Sequence, residues 1–393
     1  MILEILFWCA FASVLLTYCL YPLFATFLGG VDTSIRQPAA ELTIESLPAI
    51  SCLVPAHNEE SVIRQKIKNF QSLDYPADKL EIIIGDDGSD DRTRQWASEL
   101  VSDRVRLLPP QQRSGKAATM NRLVQAASHP LLFFSDANVM LESGAIRVLA
   151  SHFRDLDVGA VTGEVTLVQS GEEIRAGESA YYWMERRIQG AESHLGSVIG
   201  VDGGMYLIHR DRFSLLPPDT ILDDFFVSMS VIRAGYRVVY DAGAKAVESG
   251  TPTARQEFAR RVRIAAGAVQ LLRRGLTPRI GQPRLLAQFV SHKLLRWISP
   301  LLLMVMITTS LMLWEHGFVY RFAFVAQAAF WLITLLVASS HRLRRHELGS
   351  IIFYFGLSQA AILIGLLKGI FNRQSVRWER TARGFENSIG ERN

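Results

Sequence analysis

Three short stretches hold the residue types best suited to bind a ligand. Residues 131–140 read LLFFSDANVM, an apolar run that stops abruptly at Asp136, with the amide of Asn138 two positions on. Asp86-Asp87-Gly88-Ser89-Asp90-Asp91 puts four carboxylates into six residues, and Leu222-Asp223-Asp224 sets two acids side by side ahead of FFVSMSVIRAGYRVVYD. A strand that leaves a buried sheet and ends in polar side chains is a common place to hold a ligand. A plain turn or helix cap would use the same residues, because Asp and Asn suit both.

The surrounding pattern decides where these stretches sit. AISCLV (residues 49–54) reads as a buried strand that breaks at Pro55, and Asn58-Glu59-Glu60-Ser61 reads as a cap for a helix carrying Val62, Ile63, Ile67 and Phe70. EIIIG (81–85) is a second strand, 105–108 a third and 131–135 a fourth, with helical stretches between them and one expected over 116–127. This alternation predicts an α/β fold, a parallel sheet with helices on both faces. Ligands in such sheets lie beyond the carboxyl ends of the strands. Residues 55–59, 86–91 and 135–138 all fall at those ends, so together they read as one site. The sequence has neither GxGxxG nor GxxxxGK[ST]. A nucleotide bound here would be gripped by carboxylates on base and ribose, with a cation on the diphosphate. Gly115-Lys116 opens a helix after a strand exit, where backbone donors and an ammonium meet phosphate; a surface lysine at a helix start is the alternative.

The chain has 393 residues, 49% of them apolar and 20% charged, with mean hydropathy +0.16. That balance implies a soluble block joined to membrane segments. A net charge of +4 gives no argument for nucleic acid. Cys9, Cys19 and Cys52 lack any CxxC or Cys/His spacing, which excludes a zinc site and a disulfide framework and leaves them as expected buried residues. Residues 5–28 are long and apolar enough to span a bilayer, and with Glu4 the only early charge they read as an uncleaved anchor. Further spans are expected at 298–314, 318–339 and 350–371. Arg273, Arg274, Arg279, Arg284, Lys293 and Arg296, and then Arg342, Arg344 and Arg345, place the central block on the cytoplasmic side. Arg373, Arg377, Arg380 and Arg383 demand the same side, which a third full crossing forbids; either 350–371 does not cross or the tail breaks the rule. RLLAQFVSHKLLRW (284–297) reads as an interfacial helix with Lys293 and Arg296 at the headgroups, or as a plain membrane entry. The expected organisation is an anchor (1–30), a cytoplasmic domain (45–270), an interfacial segment (280–297), apolar helices (298–371) and a basic tail (372–393).

VPAHNEE, IIIGDDGSDD, SGKAATMN, FFSDAN, LDDFFVSMSVIRAGYRVVYD and RRVRIAAG occur in this order. Over roughly residues 50–267 the chain resembles the membrane-bound family 2 glycosyltransferases, which include synthases of cellulose, chitin, hyaluronan and poly-N-acetylglucosamine. The resemblance implies a GT-A domain with transmembrane helices. It also implies transfer of a sugar, with inversion, from a UDP-linked donor to a glycan or lipid-linked acceptor at the membrane. It sets Pro55, Ala56 and Glu59 against the nucleotide, Asp87 on the uracil, and Lys116 near phosphate. Asp136 and Asn138 stand at the D-x-D position that holds ribose and a divalent cation, Mg²⁺ or Mn²⁺; Asn138 lacks the second charge and implies weaker metal binding. Gly203 and Gly204 fall where the family places sugar and acceptor. Asp224 stands at the general base, with Asp223 as fallback. Arg263 would neutralise the leaving diphosphate, with Arg260 and Arg261 beside it. Arg260 and Ile264 replace the Gln and Trp of the polymerising relatives' Q-x-x-R-W block, which weakens the case for chain polymerisation against single-sugar addition. Two other classes remain: an inactive nucleotide-binding scaffold, and a nucleotidyltransferase, which would need glycines that VPAHNEE lacks.

Overall fold

The computed structural model describes residues 1–29, 44–168 and 170–375. The chain opens with α1 (Ile2–Leu15), which continues through a π-helical turn (Leu16–Leu20) into α2 (Tyr21–Gly29). The α/β block follows: β1 (Ile50–Ala56), α3 (Ile63–Gln71), β2 (Leu80–Asp86), α4 (Thr93–Ser98), β3 (Val105–Leu107), α5 (Lys116–Ala126), β4 (Leu131–Phe134), β5 (Val139–Leu141) and α6 (Ala145–Ser151). It continues with β6 (Val158–Val168), α7 (Arg175–His194), β7 (Tyr206–His209), α8 (Asp223–Arg233), β8 (Arg237–Ser249) and α9 (Ala254–Arg273). The eight strands form one sheet in the order β3-β2-β1-β4-β7-β6-β8-β5.

The sheet is mixed, not wholly parallel. Strands β3, β2, β1 and β4 run parallel, whereas β7 is antiparallel to both β4 and β6, and β5 is antiparallel to β8. Only Ser135–Asn138 separates β4 from β5, so the chain reverses there and β5 joins the sheet beside β8, not beside β4. Helices cover both faces. Cys52, Val54, Ile82 and Ile84 face Ile63, Ile67 and Phe70 of α3 and Leu149 of α6, while Leu53 and Ile83 face Met120 and Leu123 of α5 and Val227 of α8. This alternation is the two-residue period of a strand buried on both sides.

The helices after the block are α10 (Pro283–Gln288), α11 (Leu295–Trp297), α12 (Ser299–Met312), α13 (Phe318–Ser339), the short basic α14 (His341–Arg345) and α15 (Glu347–Ile370). Among the described residues three helices are long and apolar enough to cross a membrane: Ile2–Phe27, α13 and α15. The expected span at 298–314 falls in a bent pair, Pro283–Trp297 and Ser299–Met312, which meet at 68° and together are long and apolar enough for a broken span or a re-entrant loop. Phe7 and Ala10 of α1 pack on Met306 of α12 and Tyr320 of α13. Cys52 is buried as expected, but Cys9 and Cys19 are exposed, since they lie on the outward side of an apolar helix. Lys293 and Arg296 also depart from expectation. They turn inward to Glu185 of α7 at 2.6 Å each, because that buried carboxylate needs cationic partners. Arg377, Arg380 and Arg383 lie outside the described residues.

Candidate active site

The loops beyond β1 and β2 are laced together. Asn58 adopts a left-handed φ of 57°; its side-chain oxygen accepts from the Asp90 N–H at 3.0 Å and its own N–H donates to Ser89 Oγ at 3.0 Å. The Glu59 N–H donates to Thr93 Oγ1 at 2.6 Å. Residues 58–60 therefore bind the acidic loop, while the Glu59 carbonyl accepts from the N–H groups of Val62 and Ile63 at the start of α3 (3.0 and 2.9 Å). Pro55 and Ala56 end β1 in register with Gly85 and Asp86, and the Asp87 N–H donates to the Ala56 carbonyl at 2.8 Å. The fully buried Asp87 carboxylate accepts from the backbone N–H groups of Ser114 (2.7 Å) and Gly115 (2.9 Å) and from Ser114 Oγ (3.0 Å). Here Asp87 is committed to the loop ahead of α5. Gly115 holds a φ of +96°, open to glycine at little cost, and Lys116 follows as the first residue of α5.

Lys116 is the hub of the site. Its ammonium lies 3.0 Å from Asp136 and 3.2 Å from Asp223. Burial draws its pKa down, but the two carboxylates more than offset that and raise it, so it stays charged. Asp224, next along α8, is half-buried; burial first, then the neighbouring Asp223, push its carboxyl up to about 7, against the pull of Lys116. Gly203 packs directly on it: a Cβ there would sit 3.3 Å from Asp224 Oδ2. Gly204 donates its N–H to Asp202 Oδ1 at 3.0 Å, while Asp202 Oδ2 pairs with Arg186 at 2.7 Å. Arg263 donates to the Ile221 carbonyl at 3.3 Å, and its pKa is lowered by burial despite the opposing charges of Asp223 and Asp224.

Lys116, Asp136, Asp223, Asp224, Arg263 and Gly203 thus converge. Arg260 and Arg261 have other partners. They pair with buried Glu257 at 3.2 and 2.7 Å, and they also donate to the hydroxyls of Tyr182 and Tyr354. Asn138 gives its amide N–H to Glu248 at 3.1 Å. Among the described residues no group of three or more His, Cys, Asp or Glu is arranged to hold a metal. Asp136, 38% exposed, suits a cation that takes one protein carboxylate and its other ligands from phosphate and water, but not a protein cage.

Two features escaped the motif reading. Lys66 is fully buried on α3, donating to Ser135 Oγ at 2.7 Å and to the Val139 carbonyl, and Ser135 Oγ donates on to the Gly204 carbonyl at 2.8 Å. It therefore pins both ends of the Asp136 turn. Burial lowers its pKa to about 7. The signal was present, since residues 63, 66, 67 and 70 share one helical face. The second is the Arg186–Asp202 pair, which no local spacing announces.

Residues 51–213 match the family model described as glycosyl transferase family 2. Over that stretch the chain is similar to the family 2 glycosyltransferases. Curated relatives include a probable glycosyltransferase, YdaM, of Bacillus subtilis (27% identical, 57% of this chain, 56% of the relative). A beta-monoglucosyldiacylglycerol synthase of Nostoc is 28% identical over 46% of this chain and 40% of its own length. A poly-beta-1,6-N-acetyl-D-glucosamine synthase of Staphylococcus aureus is 25% identical over 60% and 58%. The chain spans about half the length of these relatives. Among solved structures, a mannosyltransferase of Pyrobaculum calidifontis, in complex with GDP-Man and Mn²⁺, superposes with a TM-score of 0.69 at 20% identity, over 95% of this chain and all of that one. That likeness extends the common fold beyond the family 2 domain to the helices around it.

Proposed function

We propose that this protein is a membrane-associated glycosyltransferase that moves a sugar from a nucleotide donor to an acceptor hydroxyl with inversion. The observation that carries this reading is Asp224, half-buried beside Asp223, with Lys116, Asp136 and Arg263 around it. Asp224 takes the acceptor proton while the acceptor oxygen attacks the anomeric carbon from the face opposite the diphosphate. The new C–O bond forms as the bond to the diphosphate oxygen breaks, and the nucleoside diphosphate leaves with the electron pair. Lys116 and Arg263 are cations aimed at the charge that develops there. Asp136 would hold Mg²⁺ or Mn²⁺, which when bound neutralises the diphosphate. Its ion pair with Lys116 makes the two cations neighbours around one leaving group. We assign a UDP-linked donor and a glycan or lipid-linked acceptor in the membrane. The domain would face the cytoplasm, as the basic flanks of the apolar helices favour.

A panel of UDP- and GDP-sugars, scored for nucleotide release with and without Mn²⁺, tests the reading. Release from a UDP-sugar, raised by Mn²⁺, is expected, whereas release from none would leave a nucleotide-binding scaffold as the better account. Single-sugar addition is favoured over polymerisation because Ile264 stands where an aromatic face would hold a growing chain. A product ladder from membranes would reverse that choice.

A further inference from the structure

A cavity of about 430 Å³ lies between β6 and α7; no residue of the Lys116 cluster lines it, and Thr26 of α2 does. Its walls are uneven in character. The rings of Tyr182, Trp183 and Tyr240 give flat apolar faces, and Ser179, Arg186 and Glu178 add polar groups. Glu178 is 1% exposed, and among the described residues neither of its carboxylate oxygens makes a well-formed hydrogen bond. Burial, and after it the charge of Glu257, raises its pKa against the Ser170 hydroxyl and the opposing Arg260 and Arg261. A buried, unpartnered polar group of this kind calls for a ligand that can hydrogen-bond. Arg186 connects the cavity to the candidate active site: it lines the wall and pairs with Asp202, one residue from the Gly203 that touches Asp224.

The mouth is defined by its apolar neighbours. Thr26 sits one residue from the end of the apolar helix Ile2–Phe27, with Phe24 and Phe27 exposed beside it. Trp183 is 61% exposed at the rim and has Arg187 stacked over its ring at 4.3 Å. Exposed aromatic and cationic side chains together mark the level of lipid headgroups. We propose that this cavity receives the hydroxyl-bearing headgroup of a lipid-tailed acceptor, with the tail lying along α2. The headgroup's hydroxyls donate to Glu178 and bond the hydroxyl-bearing walls, and its reactive hydroxyl points past Asp202 toward Asp224. The word acceptor rests on the glycosyl-transfer reading above; the binding site does not.

The test is equilibrium binding to the full chain in nanodiscs, with dodecyl β-glucoside as probe. Methyl β-glucoside is the tail-free control and dodecanol the head-free one. The probe should bind at least about tenfold more tightly than either control. Gly190→Leu should weaken it by a similar factor, because a Cβ at Gly190 meets nothing within 4 Å and its side chain enters the cavity without displacing the helix. Trp183→Ala, at an exposed rim position, should weaken it without altering the thermal unfolding midpoint. Equal binding of dodecanol would reduce the cavity to a lipid groove, equal binding of methyl glucoside would make it a soluble-glycan site, and an undiminished Gly190→Leu would move the site elsewhere; each overturns the proposal. Donor turnover by the wild type is scored separately. Its absence would remove the glycosyl-transfer reading and leave the binding result standing.

Discussion

Asp224 and Lys66 are both titrating groups placed by burial, and each makes a prediction of its own sign. The base form of Asp224 is the carboxylate, so kcat/KM should climb as pH rises to about 7 and level off above it. Asp224→Asn should cost roughly 10²–10⁴ in turnover while sparing nucleotide binding, and it should abolish the acidic limb. Wild-type turnover in that variant would show that another group takes the proton. Lys66 acts on stability instead. Its pKa falls from 10.5 in the unfolded chain to about 7 in the folded one, so between those values the unfolded state binds more protons. Stability must then rise with pH across that window. Thermal unfolding from pH 7 to pH 10 should show the wild type gaining on Lys66→Met, and parallel curves would mean that Lys66 is not charged on unfolding. A lysine among apolar helix positions was legible in the sequence, but its two acceptors were not, because Ser135 and Val139 lie on other elements.

At the scale of elements, what the sequence made legible was local. Strands β1 to β4 and their acidic exits follow from hydrophobic runs and turn residues, and α13 begins and ends where periodicity places it. The contacts that join distant elements left no such trace. Glu185, midway along α7, is met by His292, Lys293 and Arg296 at 3.1, 2.6 and 2.6 Å. Glu192, two turns on along the same face, accepts from Tyr21 of α2 at 2.5 Å and bonds His292 at 2.9 Å. Lys293 and Arg296 read as headgroup ligands until a buried acid 100 or more residues away is known. The cluster clamps α2 and the 283–297 segment to the α/β block, and His292, Lys293 and Arg296 hold the Glu185 carboxyl well below the usual range against its burial. Glu185→Ala strands those charges in a buried place and should cost about 3–5 kcal/mol, read as a large drop in the unfolding midpoint. A midpoint equal to that of the wild type would show the cluster to be solvated.

On the scale of the whole molecule, the basic tail and the third apolar stretch make incompatible demands if α15 crosses the membrane. The packing of α15 bears on this directly. Near its start, Tyr354 donates to Glu257 at 3.1 Å and accepts from Arg261. Near its end, a Cβ on Gly365 would fall 2.5 Å from Ala265 Cβ and one on Gly369 2.8 Å from Val269 Cβ, so these glycines let two backbones touch. Arg273 closes the pairing with bonds to the carbonyls of Gly369 (3.1 Å) and Ile370 (2.7 Å). Helix α15 therefore runs beside α9, in the same direction, along most of its length. Helix α9 carries Arg255, Arg260, Arg261, Arg263 and Arg273, too many charges to sit in hydrocarbon. A helix bound to it along its length cannot cross alone, so α15 should stay with the domain and keep residue 372 on the domain's side. The expected outcome is measurable in sealed vesicles of a chain lacking Cys9, Cys19 and Cys52. Asn372→Cys and the exposed domain position Asp103→Cys should react with an impermeant maleimide from the same side, and both should be silent from the other until the membrane is opened. Labelling from opposite sides would make α15 a true span and force the arginine-rich tail to break the charge rule that places every other basic cluster.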